Sequence, residues 1–123
     1  MNICFLYRKS EVFQDNIIRP FAICDGDDKN YTILCEYISE VDFEFSKNIV
    51  QSIDENKFLL DFSSESWGCE FINNHIKIYF LYDEDNPNYI SSISLSNFKF
   101  IMNAWMDFLT KEDGNEMEIF LND

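Results

Sequence analysis

The pattern of hydrophobic and polar positions along the chain predicts several strands. Ile3, Phe5 and Tyr7 occupy alternate positions near the start of the chain, as in a strand that packs one side against a core. Two further extended runs flank Asn73-Asn74, and asparagine tolerates the left-handed backbone of a tight hairpin turn. The strands predicted from these patterns are residues 3–7, 31–45, 58–62, 67–72, 75–82, 89–95 and 116–121.

The strongest helical pattern lies near the end of the chain. Hydrophobic residues there recur at intervals of three and four, which places them on one side of an amphipathic helix. Ser96 is the predicted N-cap of this helix, and Gly114 lies just beyond its predicted end. The residues on the apolar side are Phe98, Ile101, Met102, Trp105, Phe108 and Leu109.

Four other segments carry weaker local signals. A short helix is predicted over residues 46–53 with Ser46 as its N-cap, and continued strand is the alternative there. Residues 12–18 contain a second helix-like hydrophobic patch. The pair Arg19-Pro20 is expected to interrupt regular structure, because a residue before proline avoids the helical region. Residues 25–30 predict a turn, since they are rich in aspartate with one glycine.

Strands together with a few segregated helices predict an α+β fold with a mainly antiparallel sheet. We expect one long C-terminal amphipathic helix and one or two shorter helices. A length of 123 residues suits a single domain spanning residues 1–123. Because 46% of the residues are hydrophobic, the chain can bury a substantial core despite its large net charge.

The chain is strongly acidic. Nine lysines and arginines oppose 23 aspartates and glutamates, which gives a formal net charge of −14. Such a chain repels phosphate backbones and anionic membrane surfaces, so we expect no direct binding to nucleic acid or membrane. No apolar run approaches the ~18–20 residues of a membrane span, and the first residues do not follow a signal-peptide pattern. We therefore expect a cytoplasmic protein whose four cysteines are reduced.

The sequence lacks the usual motifs for catalysis and cofactor binding. His75 is the only histidine, and the chain has no nucleophile motif, phosphate-binding glycine loop or HExxH zinc motif. The acidic segments 25–28 and 83–85 supply oxygen ligands, but their spacing does not match an EF-hand calcium loop. We therefore expect no enzymatic activity, no cofactor and no metal site.

The distribution of the acidic residues predicts an interaction surface. On a strand through residues 40–45, the three acidic residues would share one face, because side chains alternate between the two faces. A second acidic group lies in a turn between two tyrosines. Coherent negative charge beside aromatic residues suits a basic partner. The predicted partner-binding residues are Glu40, Asp42, Glu44, Tyr82, Asp83, Glu84, Asp85 and Tyr89.

The stretch from about Trp67 to Leu109 resembles the immunity proteins of bacterial contact-dependent growth inhibition and polymorphic toxin systems. The likeness comprises the arm Trp67-Gly68-Cys69-Glu70-Phe71, the strand over residues 75–82, the acidic turn that follows it, and residues 93–105, which follow an isoleucine-x-leucine-x-x-phenylalanine to tryptophan pattern. Proteins of that kind are typically small, acidic, cytosolic single domains. The resemblance implies that this chain binds and neutralises a cognate toxin domain without catalysis.

The favoured hypothesis is a non-catalytic inhibitor of a basic toxin. A nuclease is the natural candidate, because its active cleft must be positive to hold phosphates. One alternative is an acidic nucleic-acid mimic that blocks a DNA-binding protein, for which duplex DNA would compete. Another alternative is a small ligand- or calcium-binding module, which would show a calcium-dependent shift in melting temperature.

Overall fold

The computed structural model describes residues 1–9, 15–57, 61–111 and 115–121. The elements within these ranges confirm the predicted α+β class with antiparallel sheets and a long C-terminal helix. In chain order they are β1 (Asn2–Lys9), β2 (Ile18–Asp25), α1 (Lys29–Ile38), α2 (Phe43–Asp54), β3 (Trp67–Ile72), β4 (His75–Phe80), β5 (Ile90–Ser94), α3 (Leu95–Leu109) and β6 (Met117–Phe120). A short 3₁₀ helix over Pro87–Tyr89 precedes β5.

The six strands form two separate antiparallel sheets of three strands each. The first sheet has the order β2-β1-β6, and the second has the order β3-β4-β5. Helix α1 contacts both β2 and β5, and α2 packs against α3. Helix α1 therefore lies between an edge strand of one sheet and an edge strand of the other.

One face of the first sheet packs against α3. Ile3 and Phe5 of β1 are fully buried, as their alternation predicts. The Phe5 ring centroid lies 5.1 Å from that of Trp105 and 5.6 Å from that of Phe108, and Tyr7 stacks on Phe108 at 5.0 Å. Such aromatic pairs add about 0.5–1.5 kcal/mol beyond the area they bury, so these rings are a main attachment of the sheet to the helix.

The predicted C-terminal helix is confirmed as α3. Its N-cap is Ser94 rather than Ser96, because the Ser94 Oγ accepts the Asn97 N–H at 3.3 Å. The predicted stop residue, Gly114, lies outside the described residues. Of the six hydrophobic residues on the predicted apolar side, all but Leu109 are completely buried, because the side they share faces the core.

The predicted strand over residues 31–45 is wrong, since the chain forms α1 and the start of α2 there. Tyr31, Leu34, Cys35 and Ile38 are all buried, and their intervals of three and four residues match one side of a helix. Packing of this side against both sheets outweighs the strand propensity of its individual residues, because β-propensity depends strongly on context.

Aspartates cap the first two helices. The Asp28 carboxylate accepts the Asn30 N–H at 2.9 Å at the start of α1, and the Asp42 carboxylate accepts the Phe45 N–H at 2.8 Å at the start of α2. The short helix predicted over residues 46–53 is confirmed, because α2 spans Phe43–Asp54. Its predicted cap is wrong, because Ser46 is a buried residue inside the helix.

The predicted interruption at Arg19-Pro20 is also wrong, because β2 continues through both residues. Pro20 pairs with Tyr7 on an edge strand, where the missing N–H of proline is tolerated. Two residues further along, the Ala22 N–H donates to the Ser39 Oγ at 3.0 Å. These two positions of the outer edge of β2 therefore offer no N–H to an additional strand.

The predicted hairpin between β3 and β4 is confirmed. Asn73 and Asn74 turn the chain with φ angles of 48° and 65°, as a tight turn of this kind requires. Strand β4 ends at Phe80, earlier than the predicted run to residue 82. The strands predicted over residues 89–95 and 116–121 are confirmed as β5 and β6.

Two predicted segments fall partly outside the described residues. Residues 58–60 of the strand predicted over 58–62 are not described, and Asp61 and Phe62 lie in an irregular segment. Residues 12–14 of the helix-like patch over 12–18 are not described either. The end of that patch is not helical, because Ile18 begins β2.

Candidate functional site

A groove with a volume of about 810 Å³ runs between the edge strand β2, the accessible side of α1 and one end of the second sheet. Its carboxylates come from three places: Glu36 on α1, Glu40 just after α1, and Glu65 just before β3. Apolar and aromatic side chains form much of the remaining lining, among them Phe21, Ile23, Trp67 and Phe80. The groove therefore combines acidic groups with an apolar wall.

The carboxylates of Glu36, near the end of α1, and Glu40, just beyond it, repel one another. Partial burial by the groove walls raises the pKa of the Glu36 carboxyl above its usual range, and the negative charge of Glu40 raises it further. The Glu36 residue as a whole remains exposed. Both effects disfavour the ionised form of Glu36, whereas a nearby cation would favour it.

The Glu40 carboxylate holds the segment that carries Glu65. Its Oε1 accepts the Ser64 hydroxyl at 2.6 Å and the Ser66 N–H at 3.0 Å. The Ser64 N–H also donates to the Trp67 carbonyl at 2.8 Å, which tightens the turn into β3. These bonds fix the segment of residues 64–66 against the end of α1, and so position Glu65 on the groove.

An aromatic cluster forms the end of the groove. The Phe80 ring centroid lies 5.2 Å from that of Trp67, 5.5 Å from that of Tyr82 and 5.6 Å from that of Tyr89. Trp67 is buried, whereas Tyr82 and Tyr89 are 75% and 44% exposed. The two tyrosines therefore form an accessible aromatic rim on either side of Phe80, and the acidic turn 83–85 connects them.

Two arginines, Arg8 and Arg19, also line the groove. The Arg8 guanidinium lies 4.6 Å from the centroid of the Phe21 ring. Arg19 forms two hydrogen bonds with the Asp15 carboxylate, at 3.1 and 2.5 Å, which lower the pKa of Asp15 to about 2. Asp15 thus balances the charge of Arg19. The part of the groove lined by Glu36, Glu40 and Glu65 is its acidic end.

The ion pairs found among the described residues do not involve the carboxylates of the groove. Among the described residues, lysine or arginine pairs with Asp15, Asp54, Glu55 and Asp107. None of these four lines the groove. The acidic end is therefore not one of the places where the described part of the chain neutralises its own charge.

Of the eight predicted partner-binding residues, Glu40 lines the groove. Tyr82 and Tyr89 contact Phe80, which also lines it, and the acidic turn 83–85 directly follows Tyr82. All eight predicted residues are exposed. Within the turn, the Asp83 carboxylate accepts the side-chain N–H of Asn86 at 2.9 Å.

The predicted acidic face of a strand through Glu40, Asp42 and Glu44 is wrong. Helix α1 ends before Glu40, and Asp42 and Glu44 belong to the cap and first turn of α2. Neither Asp42 nor Glu44 lines the groove. The carboxylate of Asp42 instead stabilises the helix by bonding its main chain.

Sequence reasoning missed Glu36 and Glu65. The signal for Glu36 is its spacing of four residues from Glu40, which places the two on one side of a helix, but this segment was predicted as a strand. For Glu65 the sequence carries no local signal, because its position depends on the hydrogen bonds that Glu40 makes with Ser64 and Ser66.

Other reactive groups have structural surroundings. His75 is exposed, with its Nδ1 3.2 Å from the Asn73 carbonyl. The four cysteines are free, and burial raises the pKa of the Cys69 thiol to about 12. No group of three or more metal-binding side chains occurs within the ranges that the structure describes. Over the same ranges, no helix has the length and apolarity to span a membrane.

The fold and the groove together define an acidic α+β domain with an aromatic-rimmed, carboxylate-lined surface groove. The chain belongs to the family DUF5376, a family of unknown function, whose model matches residues 1–119. No curated protein and no solved structure matches the chain.

Proposed function

We propose that this protein is a non-catalytic immunity protein, which binds and neutralises a basic toxin domain in the cytoplasm of the cell that produces both. The observation that carries the proposal is the position of Glu36, Glu40 and Glu65 on one aromatic-lined groove of a chain with a net charge of −14. The toxin is proposed to be a nuclease, because a nuclease needs a positive cleft to hold phosphates.

The groove has the composition of a protein-binding surface. Protein interfaces are enriched in aromatic residues at their centre and have polar, accessible rims. Phe80 supplies a partly buried ring here, and Tyr82 and Tyr89 supply exposed ones. Tyrosine is frequent among residues that dominate binding energy, so these rings suit anchors for a partner.

The acidic charge suits rapid capture of a basic partner. Complementary fields raise association rates to about 10⁸–10⁹ M⁻¹s⁻¹ at low salt, compared with 10⁵–10⁶ M⁻¹s⁻¹ for neutral surfaces. A cell that produces a toxin benefits from an inhibitor that binds it quickly. This kinetic advantage explains why a small domain would tolerate the self-repulsion of a large net charge.

The side chains of the groove support binding rather than catalysis. Its titratable groups are Glu36, Glu40 and Glu65, two arginines, and the thiols of Cys24 and Cys35. Burial raises the pKa of both thiols, so they remain protonated and are poor nucleophiles. The groove therefore offers no activated thiol, and no histidine lies among its described lining residues to act as a base beside a nucleophile.

The test begins with the reading frame next to that of this protein. An immunity protein is expected beside a frame for a large secreted protein, whose C-terminal domain should be toxic when expressed alone. Co-expression of this protein should restore growth, and the purified pair should bind with an affinity that falls as salt increases. Failure to protect cells or to bind that domain would refute the proposal.

Variants of the groove sharpen this test. We expect the double variant Glu36→Gln with Glu65→Gln to weaken toxin binding by about tenfold or more, whereas Glu44→Gln, on α2 away from the groove, should change it little. Binding of several unrelated DNA-binding proteins, with competition by duplex DNA, would instead indicate a nucleic-acid mimic.

A further inference from the structure

The acidic end of the groove has an unfavourable arrangement in the isolated protein. Glu36 lies near the end of α1 and Glu40 lies just beyond it, and the negative charge of Glu40 disfavours the ionised form of Glu36. Glu65 brings a third carboxylate to the same groove from the segment before β3. A single cation among these carboxylates would offset the repulsion between Glu40 and Glu36.

The aromatic wall narrows the kind of cation that would fit. A guanidinium is planar, so it can lie against an aromatic ring while its N–H groups bond carboxylates in pairs, whereas an ammonium is a compact, strongly hydrated charge. The protein already uses this contact elsewhere in the groove, where the Arg8 guanidinium lies over Phe21. Phe80, with Tyr82 beside it, provides another ring in the lining that it shares with the carboxylates.

We propose that the acidic end of the groove is a recognition site for an arginine side chain on a basic partner protein. The guanidinium binds among Glu36, Glu40 and Glu65, with its flat side toward Phe80. Charge complementarity favours this occupant over a second copy of the chain, which would bring another net charge of −14 to the surface. The inference rests on the proposed function in one respect, namely that the partner is a basic protein.

Two short peptides test the site without knowledge of the natural partner. One alternates arginine with glycine, and the other has lysine in place of every arginine. Each is titrated into the full-length protein, and chemical shifts of the main-chain amides are followed by NMR. We expect the arginine peptide to bind about threefold or more tightly than the lysine peptide, with the largest shifts around residues 36, 65 and 80.

Matched variants separate the site from general attraction to an acidic protein. Glu36→Gln should weaken binding of the arginine peptide by about threefold or more, whereas Glu44→Gln, which removes the same charge elsewhere, should have little effect. Phe80→Leu keeps the wall apolar but removes the ring, so it should reduce the preference for arginine over lysine. The amide spectrum of each variant shows whether its fold is retained.

Three results would overturn the inference. They are equal binding of the two peptides, equal losses in Glu36→Gln and Glu44→Gln, and shifts spread over the surface without concentration at the groove. The proposed function fails separately, when the toxin encoded beside this protein is neither bound nor neutralised. Protection from that toxin together with equal peptide binding would refute the arginine site alone.

Discussion

The indole N–H of Trp105 donates a 2.8 Å hydrogen bond to the main-chain carbonyl of Val41, and both residues are buried. The bond joins α3 to the connection between α1 and α2. Because Glu40 precedes Val41 directly, the hydrophobic core also fixes the position of a carboxylate of the groove. A substitution at Trp105 should therefore affect both the stability of the fold and the geometry of the groove.

We expect Trp105→Phe to lower the free energy of unfolding by about 2–4 kcal/mol. The change leaves the buried Val41 carbonyl without this donor and creates a small cavity. Phe98→Leu is the matched control, because Phe98 is also completely buried on α3 and its truncation leaves this hydrogen bond intact. Denaturant unfolding of both variants measures the difference, and a loss no greater in Trp105→Phe than in the control would contradict a role for the hydrogen bond.

Asp42 should contribute to stability through the start of α2. Its carboxylate accepts the Phe45 N–H at 2.8 Å, and loss of such a cap costs about 1 kcal/mol. We expect Asp42→Ala to show this loss in thermal or denaturant unfolding, and Asp42→Asn to retain most of the stability because its amide oxygen still accepts. Equal stability of the alanine variant and the wild-type protein would show that the cap has no energetic role.

Gly68 allows the close approach of Tyr79 on the neighbouring strand. A Cβ at position 68 would overlap the Tyr79 ring, whose hydroxyl donates to Glu70 at 3.1 Å. We expect Gly68→Ala to displace this ring and destabilise the protein by about 1–3 kcal/mol. In a Tyr79→Ser background the same change should be almost neutral, because the ring is gone. A similar loss in both backgrounds would place the strain elsewhere.

The ionisation of Glu36 should oppose folding at neutral pH. Burial and Glu40 raise its pKa in the folded protein above the ordinary value of 4.5. Because the folded state then holds the proton more tightly, the group favours folding while protonated, and this contribution is lost as pH rises through the raised pKa. We therefore expect Glu36→Gln to increase the melting temperature at pH 7, with a smaller difference well below pH 4.5.

Glu44→Gln provides the control for this pH dependence. Glu44 lies in the first turn of α2, where a negative charge interacts favourably with the helix dipole. Its substitution should slightly lower the melting temperature at pH 7, opposite in sign to Glu36→Gln. A gain from Glu36→Gln that is the same at both pH values would rule out ionisation as its cause.

The elements predicted correctly are those in which the spacing of hydrophobic residues, or the type of the turn residues, depends on the local structure alone. In α3, six hydrophobic residues share one side over three turns, and a strand could not bury them together. The turn at Asn73-Asn74 was predictable because the conformation depends on those two residues. By contrast, the apolar side of α1 includes Tyr31 and Cys35, and in so short a segment β-forming residues concealed the helical period.

The candidate site was only partly predictable for a related reason. The turn 83–85 and its flanking tyrosines are contiguous in sequence, so their proximity was evident. Glu65 reaches the groove from a segment about 30 residues after Glu36, and its position depends on the bonds of Glu40 to Ser64 and Ser66. No local pattern records such a contact. The error in α1 also placed Asp42 on a strand face, whereas its carboxylate caps a helix.

Two positions on the outer edge of β2 offer no N–H to a further strand, which affects the behaviour of the protein at high concentration. Exposed strand edges recruit further strands through main-chain hydrogen bonds, which is the first step toward fibrils. Here Pro20 has no N–H to offer, and the hydroxyl of Ser39 occupies that of Ala22. These two positions therefore hinder the stacking of further copies on that rim, while the groove beside it stays open to a different molecule.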